Sequence, residues 1–107
     1  MDIKNIENNV DVAVNLLKAL SNAKRLMIVC ALYKGEKSVG ELETLVDLSQ
    51  SALSQHLARL RRDGIVKTRR EAQTIYYALR DEATHLVLKC LYDICSPADI
   101  EAKLSEA

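Results

Sequence analysis

The chain has little of several residue types, and each shortage argues against a class of protein. Its 107 residues include one proline, three glycines, no phenylalanine and no tryptophan. Four tyrosines are its only aromatic residues, which leaves little material for stacking on single-stranded bases. Its three cysteines are widely spaced, unlike the dense, even set of a disulfide-stapled secreted domain. We therefore expect thiols in a reducing compartment.

Long apolar runs and a secretory signal are also missing. No run approaches the roughly 18 apolar residues that span a membrane. The N-terminus lacks the succession of a basic region, an apolar stretch and a small-residue cleavage site. These absences predict a cytoplasmic protein that makes no membrane contact. No nucleophile–base pair, phosphate loop or acid pair is evident, so we expect neither an enzyme nor a bound cofactor.

Charge is distributed unevenly, although 15 Lys and Arg balance 15 Asp and Glu. Residues 56–80 hold seven Lys or Arg against two Asp or Glu, a net charge of +5, so the other 82 residues carry −5. Such local polarity attracts a polyanion even when the whole chain is neutral. A basic run by itself is also typical of a solvated surface, so its place in the fold decides between the two interpretations.

Hydrophobic periodicity predicts one domain over residues 1–107, mainly α-helical with a small β-hairpin (α+β). Helical spacing appears from about Ile6 to Leu20, in the almost wholly apolar "AKRLMIVCALYKG", which should be a buried central helix, and from Asp81 to about Cys95. We expect Pro97 to end the last helix, and the tail beyond it to add a helical turn or to fray. The β-branched and aromatic residues of "IVKTRREAQTIYYALR" predict a two-stranded hairpin with a polar tip.

Ahead of this hairpin, the sequence predicts two short helices joined by a tight turn. Ser38 and Ser49 are good N-caps, Glu41 is placed to complete a capping box, and Gly64 follows the second helix. This spacing matches a helix-turn-helix. Together with the hairpin, residues 38–80 predict a winged helix-turn-helix in a fold of about five helices and a two-stranded wing.

The helix that begins after Ser49 has two faces. On a helical wheel Leu53, Leu57 and Leu60 lie within roughly 60° of each other, with polar and basic residues opposite. Gln can bond adenine, Arg can fork onto guanine, and Ser can donate or accept, so the polar face suits base edges in the major groove. The wing arginines suit phosphate or the minor groove. The predicted DNA-binding residues are Gln50, Ser51, Ser54, Gln55, His56, Arg59, Arg62, Arg69 and Arg70.

Among these residues His56 is ambiguous. It lies about 60° from the apolar centre of the wheel, at the helix boundary. His56 either packs at the helix edge or contacts DNA, and the sequence does not decide between these two roles.

"LLKALSNAKRLMIVCAL", "SVGELETLVDLSQSALSQHLARLRRDGIV" and "TRREAQTIYYAL" resemble the ArsR/SmtB family of small winged-helix repressors, in the branch of BigR, SqrR and HlyU. The resemblance covers about residues 13 to 96. It implies a homodimer joined through its first and last helices, residues 1–20 and 81–96. Such a dimer binds a palindromic operator in double-stranded DNA and blocks transcription until an inducer releases it.

The resemblance also implies a thiol switch. It places one sensing cysteine in the second helix, at Cys30, and one near the end of the last helix, where Cys95 stands one residue before the family's position. Reactive sulfur species would link the two through a sulfur chain, or an oxidant would join them directly. Lys24 or Arg25 are candidates for promoting the Cys30 thiolate. Alternatively, the cysteines pack as small apolar groups, as we expect for Cys90.

Many members of the family sense metals, but this sequence contains few of the residues that would bind one. "VGELETLVDL" lacks the cysteine cluster of the arsenic-type site, and His85 lacks the second histidine of the zinc-type site. We predict no metal, although a site built from the three cysteines stays open. Two further hypotheses are a metal-responsive or non-switching regulator of the HlyU anti-repressor kind, and a winged-helix domain that docks a protein partner.

Overall fold

Helices make up most of residues 1–95, the part of the chain that the computed structural model describes. In chain order the elements are α1 (Ile3–Asn8), α2 (Val10–Leu20), α3 (Ala23–Leu32), β1 (Lys37–Ser38), α4 (Val39–Leu45), α5 (Gln50–Arg62), β2 (Val66–Glu71), β3 (Thr74–Leu79) and α6 (Glu82–Cys95). The predictions for Pro97 and the tail lie outside the described residues. Within residues 1–95 no helix has the length and apolar character needed to cross a membrane.

The first predicted helix is in fact two helices. Asp2 begins α1, and its side chain accepts a hydrogen bond from the Lys4 N–H at 3.0 Å. Asn9 separates α1 from α2, because its N–H donates to the Ile6 carbonyl and its Nδ2 donates to the Asn5 carbonyl, each at 3.0 Å. Asparagine side chains compete in this way with the helical backbone bonds. Apolar spacing alone did not predict the break.

One apolar core joins the helices to the sheet. Its largest fully buried apolar side chains are Ile28, Val29 and Leu32 of α3, Leu42 of α4, and Leu53, Leu57 and Leu60 of α5. The predicted inward leucine seam of α5 is therefore confirmed. In contrast, α3 is buried on one side only, because Met27 is 53% exposed and Cys30 is exposed as well. The predicted buried central helix therefore contributes to the core on one side, and the other side is open to solvent.

Local capping bonds fix α4 and α5 where the sequence predicts them. The Ser38 Oγ accepts from the Glu41 N–H at 3.2 Å, and the Glu41 Oε1 accepts from the Ser38 N–H at 3.1 Å, which completes the capping box. Beyond α5 the Ile65 N–H donates to the Leu60 carbonyl at 2.9 Å, and Gly64 adopts a φ of +76°. This left-handed turn ends the helix and leads the chain directly into the wing.

The predicted hairpin is formed by β2 and β3, and β1 adds a third, short strand beside β3. The register pairs Val66 with Leu79 at the base and Glu71 with Thr74 at the tip, and Ala72 in the connecting loop has a φ of +54°. Because β1 has only two residues, it is too short to show an alternating pattern, and the sequence predicted a two-stranded wing. The winged helix-turn-helix architecture is confirmed, with a three-stranded sheet.

Candidate nucleic-acid interface

A polar face of α5 is open to solvent. Ser49 caps the helix through its Oγ, which accepts from the Ala52 N–H at 3.2 Å, and the buried leucines hold the opposite side on the core. Of the residues predicted on this helix to contact DNA, Gln50, Ser51, Ser54, Gln55 and Arg62 are exposed, while His56 and Arg59 are half-buried. The N-terminal half of α5 therefore presents neutral hydrogen-bonding groups on a convex surface.

The C-terminal half of α5 is basic, but one of its arginines is paired. Arg59 Nε donates to Asp63 Oδ2 at 2.8 Å, one turn further along the chain. Neither Arg61 nor Arg62 forms a salt bridge with another residue of the described part of the chain. The helix dipole favours positive charge at this end of the helix. Arg61 and Arg62 are therefore available to an external anion.

A groove of about 450 Å³ lies between α5 and the sheet. Ser54, Arg61 and Arg62 belong to its helical wall, and Tyr77 of β3 belongs to its sheet wall. Tyr77 was not among the predicted contacts, because a tyrosine in a half-buried strand is ordinarily a packing residue. The groove combines cationic and hydrogen-bonding groups, the two kinds of group that contact phosphate and sugar.

The two wing arginines point to opposite faces of the hairpin. Side chains alternate along a strand, and residues directly opposite each other in an antiparallel pair share a face. Val66 and Leu79 are opposite each other and buried, and Arg70 lies four residues after Val66, on the same face. Arg69 is opposite Tyr76 on the other face. The sheet face that carries Arg70 is therefore the face that packs on the core, and Arg69 points away from it.

Arg69 is already bound within the protein. Its Nη2 and Nε contact the two carboxylate oxygens of Glu36 at 2.5 and 3.2 Å, and its Nη1 donates to Glu71 Oε2 at 2.7 Å. The guanidinium also lies 4.5 Å from the centroid of the Tyr76 ring. The hydrogen bond from Arg69 holds the pKa of the Glu36 carboxyl below the usual range. Arg70, in contrast, forms no salt bridge within residues 1–95.

Cys30 lies on α3 at the wall of a cavity between α3 and α6. Its thiol is exposed, yet partial burial by the cavity wall raises its pKa. The two cations that were candidates for promoting the Cys30 thiolate bind elsewhere. Lys24 Nζ donates to the Asp47 carbonyl at 3.1 Å, and Arg25 Nε donates to the Ala19 carbonyl at 2.8 Å. Neither cation promotes the Cys30 thiolate in this arrangement.

The other two cysteines, also free and exposed, lie on different faces of α6. Leu88, Tyr92 and Cys95 are spaced at i, i+4 and i+7, which places them on one face of the helix. Leu88 and Tyr92 line the same cavity as Cys30, so Cys95 lies on the side of α6 that borders this cavity. Cys90 lies about 160° from Leu88 around the helix. Cys90 is exposed in the single chain, so it does not pack against the other described residues in the way that the sequence predicted.

No group of three or more His, Cys, Asp or Glu side chains in residues 1–95 could hold a metal ion. His85 Nδ1 contacts the Asp81 carbonyl at 3.1 Å, and the centroid of its ring lies 5.6 Å from that of Tyr33. Both contacts hold the imidazole against its own domain. A metal-sensing role therefore has no support from the side chains of the described part of the chain.

Two helical surfaces expose large apolar side chains. On α2, Val10, Val14 and Leu17 follow one another at helical spacing, and Leu17 is 61% exposed. On α6, Leu86 is 57% exposed and Cys90 is exposed one turn later. Large apolar side chains grouped at a surface mark interaction sites. We call these two surfaces together the apolar stripes.

Known proteins share both the sequence and the fold of this chain. Residues 22–68, from the start of α3 into β2, match the family described as bacterial regulatory protein, arsR family. The transcriptional activator HlyU of Vibrio cholerae serotype O1 is 48% identical over 99 residues, which cover 92% of each protein.

Solved structures extend this similarity. The transcriptional repressor BigR from Xylella fastidiosa has a TM-score of 0.85 at 43% identity, over 89% of this chain and 97% of that one. For reduced HlyU from Vibrio cholerae N16961 the TM-score is 0.80 at 49% identity, over 87% and 98%. A homodimeric winged helix-turn-helix DNA-binding domain from Mycobacterium bovis, 27% identical, has a TM-score of 0.73 over 82% of each chain. The chain therefore belongs to the arsR family of bacterial regulatory proteins, which are DNA-binding regulators of transcription.

Proposed function

We propose that the protein is a homodimeric repressor that binds a palindromic operator through α5 and the wing. The observation that carries this proposal is the exposed Ser, Gln and Arg face of α5, next to a groove lined by arginines that form no salt bridge in residues 1–95. A convex helix face of this composition fits the major groove, where the four base pairs differ in their donors and acceptors. Such a repressor works in the cytoplasm, where its operator is.

Within this proposal the N-terminal half of α5 reads bases. Gln50, Ser51, Ser54 and Gln55 are exposed there and carry both donors and acceptors. A glutamine can bond the N6 and N7 edge of adenine with both ends of its amide. His56 is half-buried, so it lies at the margin of the reading surface and adds at most one contact.

The arginines bind the DNA backbone or the minor groove. Arg62 and Arg70 can do so directly, since neither forms a salt bridge within the described residues. Arg59 and Arg69 must first exchange a carboxylate partner for a phosphate, so we expect each to contribute less. Phosphate contacts of this kind give affinity and register but carry no sequence information.

The apolar stripes pair two copies of the chain. Burying them removes exposed Leu and Val side chains from water, and a two-fold axis places the two α5 helices in successive major grooves about 34–36 Å apart. We expect Leu86→Glu to give a monomer in light scattering and to lose most operator affinity. Leu45→Glu is the matched control, because Leu45 is 55% exposed but lies outside the stripes. An unchanged dimer in Leu86→Glu would contradict the proposed interface.

We further propose that Cys30 and Cys95 form a thiol switch. Cys30 faces the cavity, and Cys95 shares the face of α6 that lines it. With a dialkyl trisulfide as oxidant, the Cys30 thiolate attacks the central sulfur and displaces one alkyl thiolate. The Cys95 thiolate then attacks the same sulfur and displaces the second. Two cysteine protons are lost, a protein trisulfide forms, and the reagent is reduced to two thiols.

The switch is tested on a fluorescent duplex selected for the protein from a random pool. Reduced protein should bind it, and trisulfide treatment should release it, with a mass change of one sulfur gained and two hydrogens lost per chain. Cys30→Ser should keep DNA binding but not release. Cys90→Ser removes a thiol that is not part of the switch, so it is the matched control: it should release DNA like the unmodified chain, and light scattering checks that this change within the apolar stripes leaves it dimeric. Release from Cys30→Ser upon treatment would show that the switch lies elsewhere.

Anti-repression is a second candidate, favoured by the name of the HlyU relative, a transcriptional activator. Such a regulator binds DNA to displace another protein and has no effect alone. In vitro transcription from a promoter that carries the selected site separates the two candidates. The purified protein lowers transcript yield if it represses, and leaves it unchanged if it only displaces another protein.

A further inference from the structure

The cavity next to Cys30 has the dimensions and lining of a small-molecule site. Its volume is about 830 Å³, within the range of about 300–1,000 Å³ that ligand pockets occupy. Helices α3 and α6 form its two sides, and Leu45 at the end of α4 also lines it. The cavity shares no lining residue with the groove beside α5.

The walls of the cavity are apolar, and its rim is cationic. Met27, Ala31, Leu45 and Leu88 contribute apolar surface, and Met27 and Leu45 remain 53% and 55% exposed. Methionine adapts its shape to an apolar occupant because it is unbranched and has three rotatable bonds. The fold therefore leaves an adaptable apolar wall in contact with water.

Three lysines and one aspartate provide the charge at the rim. Lys89 Nζ lies 3.8 Å from Asp93 Oδ2, in an exposed contact that offsets part of its charge. Lys34 and Lys37 form no salt bridge with any residue in 1–95. The rim thus has an excess of positive charge directly beside an apolar wall. A ligand that complements both has one negative group on an apolar body.

The cavity borders Cys30 of the proposed switch, but it is separate from the DNA-binding surface and from the apolar stripes. Leu88 and Tyr92 face the cavity, whereas Leu86 lies about 160° from Leu88 on α6, within the apolar stripes. DNA contacts lie on α5 and the wing. An occupant can therefore enter without displacing DNA or a second copy of the chain.

We propose that this cavity binds a small amphiphilic carboxylate, with its acyl chain along Met27, Leu45 and Leu88 and its carboxylate at Lys34 and Lys37. This site goes beyond the proposed function and does not depend on it, because binding is measured on protein without DNA. The Cys30 thiol lies in the wall beside the acyl chain. An occupied cavity therefore covers Cys30 and slows its alkylation.

The test uses decanoate with reduced, full-length protein, and 1-decanol and decyltrimethylammonium as probes with the same tail. In equilibrium dialysis we expect saturable binding of one decanoate per chain, about three- to tenfold weaker binding of the alcohol, and no binding of the cation. Bound decanoate should also slow iodoacetamide labelling of Cys30, measured by peptide mass spectrometry. Equal binding of the three probes, or no saturable binding of decanoate, would overturn the proposal.

Variants localise the site. Lys34→Glu should weaken decanoate binding about three- to tenfold, and Leu45→Asp about tenfold through lost apolar contact. Lys4→Glu, a charge reversal on α1, is the matched control and should bind like the unmodified chain. Circular dichroism confirms that each variant is folded. If Lys4→Glu weakens binding equally, decanoate does not bind at Lys34. If Leu45→Asp instead dissociates the dimer in light scattering, Leu45 belongs to the dimer interface, and the proposed carboxylate site is wrong.

Discussion

Replacing Arg70 by alanine should weaken operator binding more than removing the Arg69–Glu36 pair, because of these two wing arginines only Arg70 has no carboxylate partner within residues 1–95. A dimer has two wings, so Arg70→Ala removes two phosphate contacts. At about 1 kcal/mol for each exposed contact, the loss is about 2 kcal/mol, or roughly 30-fold in Kd. The slope of log K against log salt should also become shallower by about 1.8.

The comparison variant is Arg69→Ala combined with Glu36→Ala, which removes one positive and one negative charge and keeps the net charge. We expect its Kd to change less than about threefold, since the pair is satisfied within the protein. Both variants are measured by fluorescence anisotropy on the selected duplex from about 50 to 200 mM salt. If the double variant loses as much affinity and slope as Arg70→Ala, the inference from salt-bridge pairing to DNA contact is wrong.

Three further predictions concern single residues. Gln55→Ala should cost about 1–3 kcal/mol at the preferred base pair but leave the salt slope unchanged, whereas a uniform loss on every sequence would contradict base reading. Gly64→Ala should lower the free energy of unfolding in urea by about 1–2 kcal/mol, because φ is +76° there; no loss would contradict it. The rate at which Cys30 is alkylated should keep rising with pH past about 8.5, because burial raises the pKa of its thiol. A rate that levels off at a lower pH would contradict this.

Local signals were sufficient to predict α4 and α5. Ser38 and Ser49 cap their helices through side-chain bonds to residues three positions on, and Gly64 ends α5 through a left-handed turn. These contacts lie within a few residues of each other, so the sequence contains them directly. The exposed polar face of α5 follows from the same spacing, because the leucine seam fixes which side is buried.

Contacts between distant residues could not be predicted. Arg69 and Glu36 are 33 positions apart, and they meet because β1 pairs with β3 and β3 with β2. The sequence predicted both Arg69 and Arg70 as DNA contacts, but in the structure Arg69 is paired with Glu36, and only Arg70 of the two forms no salt bridge within residues 1–95. The exposure of Cys30 likewise depends on how α3 and α6 are placed around the cavity, which helical periodicity in either helix alone does not determine.

The salt dependence of operator binding by the reduced dimer tests the central claim most directly. With six or more phosphate contacts, log K should fall with log salt at a slope of about −5 or steeper, which is about a 10³-fold loss between 50 and 200 mM. The same titration should give two chains per duplex. A slope near zero, or one chain per duplex at saturation, would contradict a dimer that binds its operator through α5 and the wing.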